Sequence, residues 1–267
     1  MSNLVQRVLS GIVALPLLAL LILWRQPLGF GVLVWVMAGL ALHEYLAITL
    51  PGTSVRLRAS LIAIGVALSA GLYLLPGLGL VWVAAAFIAA TTIVLLDPGE
   101  ISAAAARLGF AVFGVFYLGV LTAPLAILQR DASSGRTWVL LAFALTFGND
   151  TGAYFAGRAL GRHKLYPAVS PKKTVEGAVG GLVAGLVVMF VARATLVPWL
   201  TVRDCLLVAI PAAFVGPVGD LVESLIKRAS GVKDSGRLIP GHGGLLDRID
   251  ALLFVSAWIY VYALHLR

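Results

Sequence analysis

The sequence predicts an all-α polytopic integral membrane protein with about nine transmembrane helices and a cytoplasmic N-terminus. Three observations predict it. First, 60% of the 267 residues are apolar and only 12% are charged, with a mean hydropathy of +1.00. A soluble domain carries about 25% charged residues, so these side chains could not coat the core a chain of this length buries. Second, the apolar residues fall into runs of the roughly 20 residues needed to cross about 30 Å of hydrocarbon. Third, the alternation of a membrane β-barrel is absent, which leaves helices to satisfy the backbone in lipid. A soluble globule, a disordered chain and a disulfide-stapled secreted module are excluded. Cys205 is the single cysteine and has no partner within the chain.

The runs cover about 4–24, 28–50, 57–75, 78–96, 108–128, 137–157, 175–197, 204–222 and 249–266. The first has Arg7 ahead of an apolar stretch, like a signal peptide. No small-x-small cleavage site with a polar sequel follows it, and Leu28 begins another run, so it reads as an uncleaved helix. The third and fourth are divided only by the turn signal Leu75-Pro76-Gly77. With nine spans, fourteen basic residues, including Arg56, Arg58, Arg107, Arg158, Lys172, Lys227 and Arg248, fall on the N-terminal side and six on the other. The positive-inside rule therefore puts the N-terminus in the cytoplasm and the C-terminus outside.

Residues 1–130 form an N-terminal region of about five helices. Residues 131–267 carry two longer polar segments, about 158–174 and 223–248, on the same predicted side. The formal charge of +8 suits anionic membrane lipids, and no basic soluble module exists to hold nucleic acid.

Seven of the twelve acidic residues, Asp150, Glu176, Asp220, Glu223, Asp234, Asp247 and Asp250, gather in the last 118 positions. A carboxylate at bilayer depth costs about 2.5–3.5 kcal/mol on insertion scales, so such residues mark function. Asp220, Glu223, Ser224 and Lys227 share one helical face by spacing, as do Asp247 and Asp250. Oxygen donors without a His/Cys cluster point to Mg²⁺, or Mn²⁺, rather than Zn²⁺. The competing reading is an ion-pair lattice in which Asp220–Lys227 and Asp247–Arg248 satisfy one another.

Between these faces runs a segment in which Lys227, Arg228, Lys233 and Arg237 alternate with glycine and serine, followed by His242 between glycines. Cations beside carboxylates suit a metal-bound polyphosphate; a loop made basic by topology alone is the other reading. Upstream, Asn149 and Asp150 interrupt an apolar run and should face the bundle. Ser170-Pro171-Lys172-Lys173-Thr174 precedes the next helix, where Ser170 or Thr174 would cap, Glu176 would favour the N-terminus, and the helix start would receive phosphate. Gly177, Gly181 and Gly185 make a small-xxx-small ridge for helix packing or a homodimer. His43 and Glu44 read as a polar packing pair outside the site.

The run Ser224-x-x-Lys227-Arg228-x₄-Lys233-Asp234-x-Gly236-x-x-Ile239-Pro240-x-His242-Gly243-Gly244-x-x-Asp247-Arg248-x-Asp250 resembles the C-terminal signature of phosphatidate cytidylyltransferases. The Asn149-Asp150 stretch and Ser170–Gly177 resemble that family's upstream block. The resemblance covers about 145–250 and implies that CTP and phosphatidic acid are joined into CDP-diacylglycerol and pyrophosphate with Mg²⁺, in the cytoplasmic (inner) cell membrane. It implies Asp220 and Asp247 as metal ligands, with Asp250 in support. Lys227, Arg228, Lys233 and Arg248 would hold phosphates, and Ser170, Lys172, Lys173 and Thr174 would build the substrate site. Asn149, Asp150, Ser224 and His242 complete the expected substrate contacts. A CTP-dependent lipid kinase, attacking the γ-phosphorus, is the rival enzyme. A transporter is the rival of another class, disfavoured because acids and bases gather on one side and no internal repeat is present.

Overall fold

The computed structural model describes residue 16 and residues 19–24, 26–238 and 243–267. The chain divides into two compact units, Met1–Ile127 with Ser230–Asp247, and Leu128–Ala229 with Arg248–Arg267.

In the first unit, α1 (Pro27–Thr49), α2 (Val55–Leu74) and α3 (Gly79–Leu96) follow one another, and α4 (Ala104–Asp131) runs on into the second unit. Proline at the first turn suits α1, because its missing N–H has no partner to lose there. Ser54 caps α2 by accepting from the Leu57 N–H (3.1 Å). The third and fourth predicted spans are separate helices, divided by a 3₁₀ turn at Pro76–Leu78. Phe30, Val34, Ala38, Ala41, Tyr45 and Leu46 recur at helical spacing on the buried face of α1. Tyr45 donates to the Phe110 carbonyl (3.0 Å), and Ser69 and Thr122 bond at 3.0 Å. By contrast, Leu80, Ile88, Leu95 and Leu96 of α3 are exposed. That apolar surface suits hydrocarbon rather than water.

The second unit contains α5 (Gly135–Leu160), a hairpin of β1 (Lys164–Tyr166) and β2 (Ser170–Thr174), α6 (Val175–Thr195) and α7 (Val202–Ala229). The final helix, α8 (Leu246–Val261), starts in the first unit and finishes in the second with a π turn over Tyr262–Leu266. The polar stretch expected over 158–174 is thus partly an antiparallel hairpin, pairing Lys164 with Thr174 and Tyr166 with Ser170. It is the one β element among the described residues. α7 runs to Ala229, beyond the expected end near 222, so Glu223, Ser224, Lys227 and Arg228 are helical. Glu223 and Lys227 form an i,i+4 ion pair at 2.5 Å that supports this extension.

Seven described helices are long and apolar enough to cross a membrane, and the chain is a multi-pass membrane protein of the all-α class, with the one short hairpin as its β element among the described residues. α5, the sixth expected span, is 26 residues long but falls outside those seven, since it carries Arg136, Asn149, Asp150 and Arg158. The first expected span, 4–24, lies mostly outside the described residues.

α5 and α6 approach closely because both are lined with small residues. A Cβ on Gly180 would lie 2.1 Å from the Ala156 Cβ, one on Gly152 2.3 Å from the Ala184 Cβ, and one on Gly181 2.3 Å from the Asn149 Oδ1. The Gly177–Gly181 ridge is therefore used for packing within the chain. Gly180→Leu is expected to destabilise the protein by about 3 kcal/mol, in the overpacking range, read as a lowered unfolding temperature in detergent. An unchanged transition would show that these helices do not pack through this face.

Candidate active site

Within the second unit, α5, the hairpin, α6 and α7 enclose a cavity of about 540 Å³. Its polar wall combines Asn149 and Asp150 from α5, Lys172, Lys173 and Thr174 from β2, and Asp220 from α7. Ala153, Leu165, Ala178 and Pro217 supply apolar lining. Pro217 has no N–H to donate within α7, so it relieves the helix of one backbone bond beside the cavity.

Lys173 Nζ stands 2.7 Å from Asp220 Oδ2, while Asp220 Oδ1 accepts a bond from Ser224 one turn along (3.2 Å). The lattice weighed from sequence therefore forms differently: Asp220 pairs with Lys173 and Lys227 with Glu223. Asp150 and Asp220 line one cavity with Lys172 and Lys173, so two carboxylates there share the neutralising charge of the lysines.

The local fold explains how the lysines arrive. Thr174 is the N-cap of α6, its hydroxyl accepting from the Gly177 N–H (3.0 Å), so the chain enters α6 from extended β2. This decides between the two expected caps, and Ser170 instead pairs within the hairpin. Glu176 in the first turn accepts from the Arg162 and His163 N–H groups (3.1 and 3.2 Å) and contacts His163 Nδ1 at 2.6 Å. It thereby ties the start of the hairpin to the start of α6.

Six expected site residues thus meet at the cavity. Ser224, Lys227, Arg228, Arg248 and Asp250 belong to the same unit, outside the lining, with Arg228 and Arg248 exposed. Tyr154 and Arg158 line the cavity without having been singled out, and Arg158 donates to the Tyr154 hydroxyl (3.1 Å). Their spacing from Asp150, at i+4 and i+8, was the available signal.

Lys233 and Asp247 belong to the first unit, and His242 lies outside the described residues. Lys233 is exposed. Asp247 accepts from the N–H groups of Ser235 (3.1 Å) and Gly244 (2.9 Å). The pairing of His43 with Glu44 is corrected: His43 is exposed, whereas Glu44 is buried and accepts from Ser235, Leu245 and Leu246.

Mg²⁺ takes hard oxygen ligands and is usually held by one or two carboxylates, with waters and substrate phosphates completing the shell. A cavity that holds Asp150 and Asp220, the latter already drawing an ammonium, fits such a cation. Among the described residues no three His, Cys, Asp or Glu side chains converge as a metal cage.

Fold and site together define a multi-pass helical membrane protein with a pocket of opposed lysines and carboxylates. The chain belongs to the cytidylyltransferase family, whose model matches residues 5–266. It is 44% identical over 150 residues to a phosphatidate cytidylyltransferase of Staphylococcus saprophyticus, covering 55% of each chain. It is 43% identical over 157 residues to the protein of that name from Brucella suis, covering 58% of this chain and 57% of the relative. Against that of Bacillus subtilis it is 38% identical over 154 residues, with the same coverage. The chain spans about half the length of the curated relatives it matches.

Proposed function

We propose that the chain is a CTP:phosphatidate cytidylyltransferase. The observation that carries this reading is the Lys173–Asp220 pair set in a cavity with Lys172, Arg158 and Asp150, in a chain whose named relatives are phosphatidate cytidylyltransferases. A phosphate oxygen of phosphatidic acid attacks the α-phosphorus of CTP. The new P–O bond joins lipid phosphate to CMP, the bond to the β-phosphate breaks, and pyrophosphate leaves. A phosphate monoester is already nucleophilic near neutral pH, so positioning and charge neutralisation are the work to be done.

In this reading Lys172 and Lys173 neutralise phosphate oxygens, Asn149 and Thr174 supply polar contacts, and the apolar lining receives the lipid near its headgroup. Lys227, Arg228 and Arg248 of the second unit, and separately Lys233 of the first, are the further phosphate contacts this reading assigns. Asp220 and Asp247, each within its own unit and with Asp250 in support, are the carboxylates this reading assigns to Mg²⁺, which would neutralise charge on the triphosphate. The site faces the cytoplasm of the inner cell membrane, following the bias of basic residues.

The test uses purified full chain with phosphatidic acid, Mg²⁺ and CTP labelled at both the α- and γ-phosphates. Label from the α-phosphate is expected in lipid, with pyrophosphate released and the transfer stopped by chelator. Label from the γ-phosphate in an added lipid alcohol would establish a kinase instead. No transfer to either lipid would overturn both enzyme readings.

A further inference from the structure

Glu44 lies on a helix otherwise devoted to apolar packing, yet only 6% of its surface is exposed. A buried carboxylate is costly unless its oxygens are satisfied. Here the donors come from about two hundred residues away, within the same unit. Glu44 Oε1 accepts from the Leu245 N–H (3.1 Å), and Oε2 accepts from the Leu246 N–H (2.9 Å) and the Ser235 hydroxyl (3.2 Å). Leu246 opens α8, so Glu44 supplies from another helix both the acceptor and the negative charge that a helix N-terminus favours.

Asp247 completes the clasp by taking the N–H groups of Ser235 and Gly244. Four backbone donors from the two ends of one segment are thus held by two carboxylates. Ser235 is held twice, by its N–H and by its hydroxyl, and is buried. Lys233 and Arg237 stand two residues to either side of it and are exposed.

The glycines at this place follow from the same carboxylate. A Cβ on Gly236 would lie 2.4 Å from Glu44 Oε1. One on Gly244 would lie 2.0 Å from the Ser235 Oγ and 2.7 Å from Glu44 Oε2. Neither position accepts a side chain while Glu44 is in place.

We propose that Glu44 is a positioning residue, clasping Ser235 and the Leu245–Leu246 backbone so that Lys233, Arg237 and Asp247 are presented in fixed register to the CTP polyphosphate. This role rests on the cytidylyltransferase reading for its ligand, though the clasp itself does not. It acts through backbone geometry, so its loss weakens CTP binding more than it slows the bound complex.

The experiment compares wild-type chain with Glu44→Gln and Gly244→Ala. It measures kcat and the KM for CTP, together with hydrogen exchange of the Leu245 and Leu246 amides. Gln keeps the shape of Glu but turns an NH₂ toward backbone donors. Ala at 244 displaces the clasp without altering any charge, and so serves if Glu44→Gln fails to fold. In either variant the KM for CTP is expected to rise about tenfold or more, the scale typical of supporting-shell substitutions, with kcat changed far less and both amides exchanging faster. Loss of kcat with unchanged KM, or unchanged exchange in both variants, would overturn the clasp. If wild-type chain makes no CDP-lipid while the variants still deprotect the amides, the clasp stands and the cytidylyltransferase reading fails.

Discussion

Asp247→Asn is expected to lower cytidylyl transfer by about 10³-fold or more while the protein still inserts in the membrane. A metal-ligating carboxylate contributes several kcal/mol of charge stabilisation, and about 4 kcal/mol corresponds to that factor. The substitution also acts on the backbone. Asp247 accepts from Ser235 and Gly244, and an Asn side chain offers one oxygen where two were available. A donor left without an acceptor in a part-buried place costs about 1–3 kcal/mol. Turnover, membrane extraction behaviour and thermal unfolding should be measured on the same preparation. Raising Mg²⁺ should recover little of the loss. Wild-type-like turnover would remove Asp247 from the metal assignment, whatever its place in the clasp.

Lys173→Met is expected to reduce kcat/KM for CTP by about 10²–10³-fold, the scale for removing one preorganised donor from developing charge. Lys173 contacts Asp220 at 2.7 Å and also offsets Asp150. Without it, repelling carboxylates remain in the cavity and an anionic substrate meets them directly. Lys173→Arg should recover only part of the activity, because a planar guanidinium does not reproduce a compact ammonium beside a single carboxylate oxygen. The pair is partly solvated, at 24% and 34% side-chain exposure, so the loss should be much larger in catalysis than in stability. Activity within a few-fold of wild type would exclude Lys173 from the phosphate-binding role.

Much of this architecture is legible from hydropathy, because in lipid each helix satisfies its own backbone and announces itself locally. The expected spans at 28–50, 57–75, 78–96 and 175–197 match helices whose bounds differ by about two residues. α7 was legible in its apolar part, and the spacing of Asp220, Glu223, Ser224 and Lys227 placed its last turns on one helical face, although the apolar span ended near 222. The hairpin left no trace, since Ser170-Pro171-Lys172-Lys173-Thr174 shows no alternation of apolar and polar residues. Its strands are held by each other and by Glu176.

Composition and spacing alone determined a helical membrane protein and drew attention to Asn149, Asp150, Lys172, Lys173 and Asp220 as carriers of chemistry. Tertiary structure decided which charges meet. Asp220 found Lys173 across 47 positions rather than Lys227 on its own helix face. Glu44, set aside as a packing residue, found Ser235 and Leu246 from across most of the chain. Helix formation is governed by bonds four residues apart and by transfer to lipid, both written locally. The partner of a buried charge is chosen by which backbone the packed helices bring to it, and no local pattern encodes that.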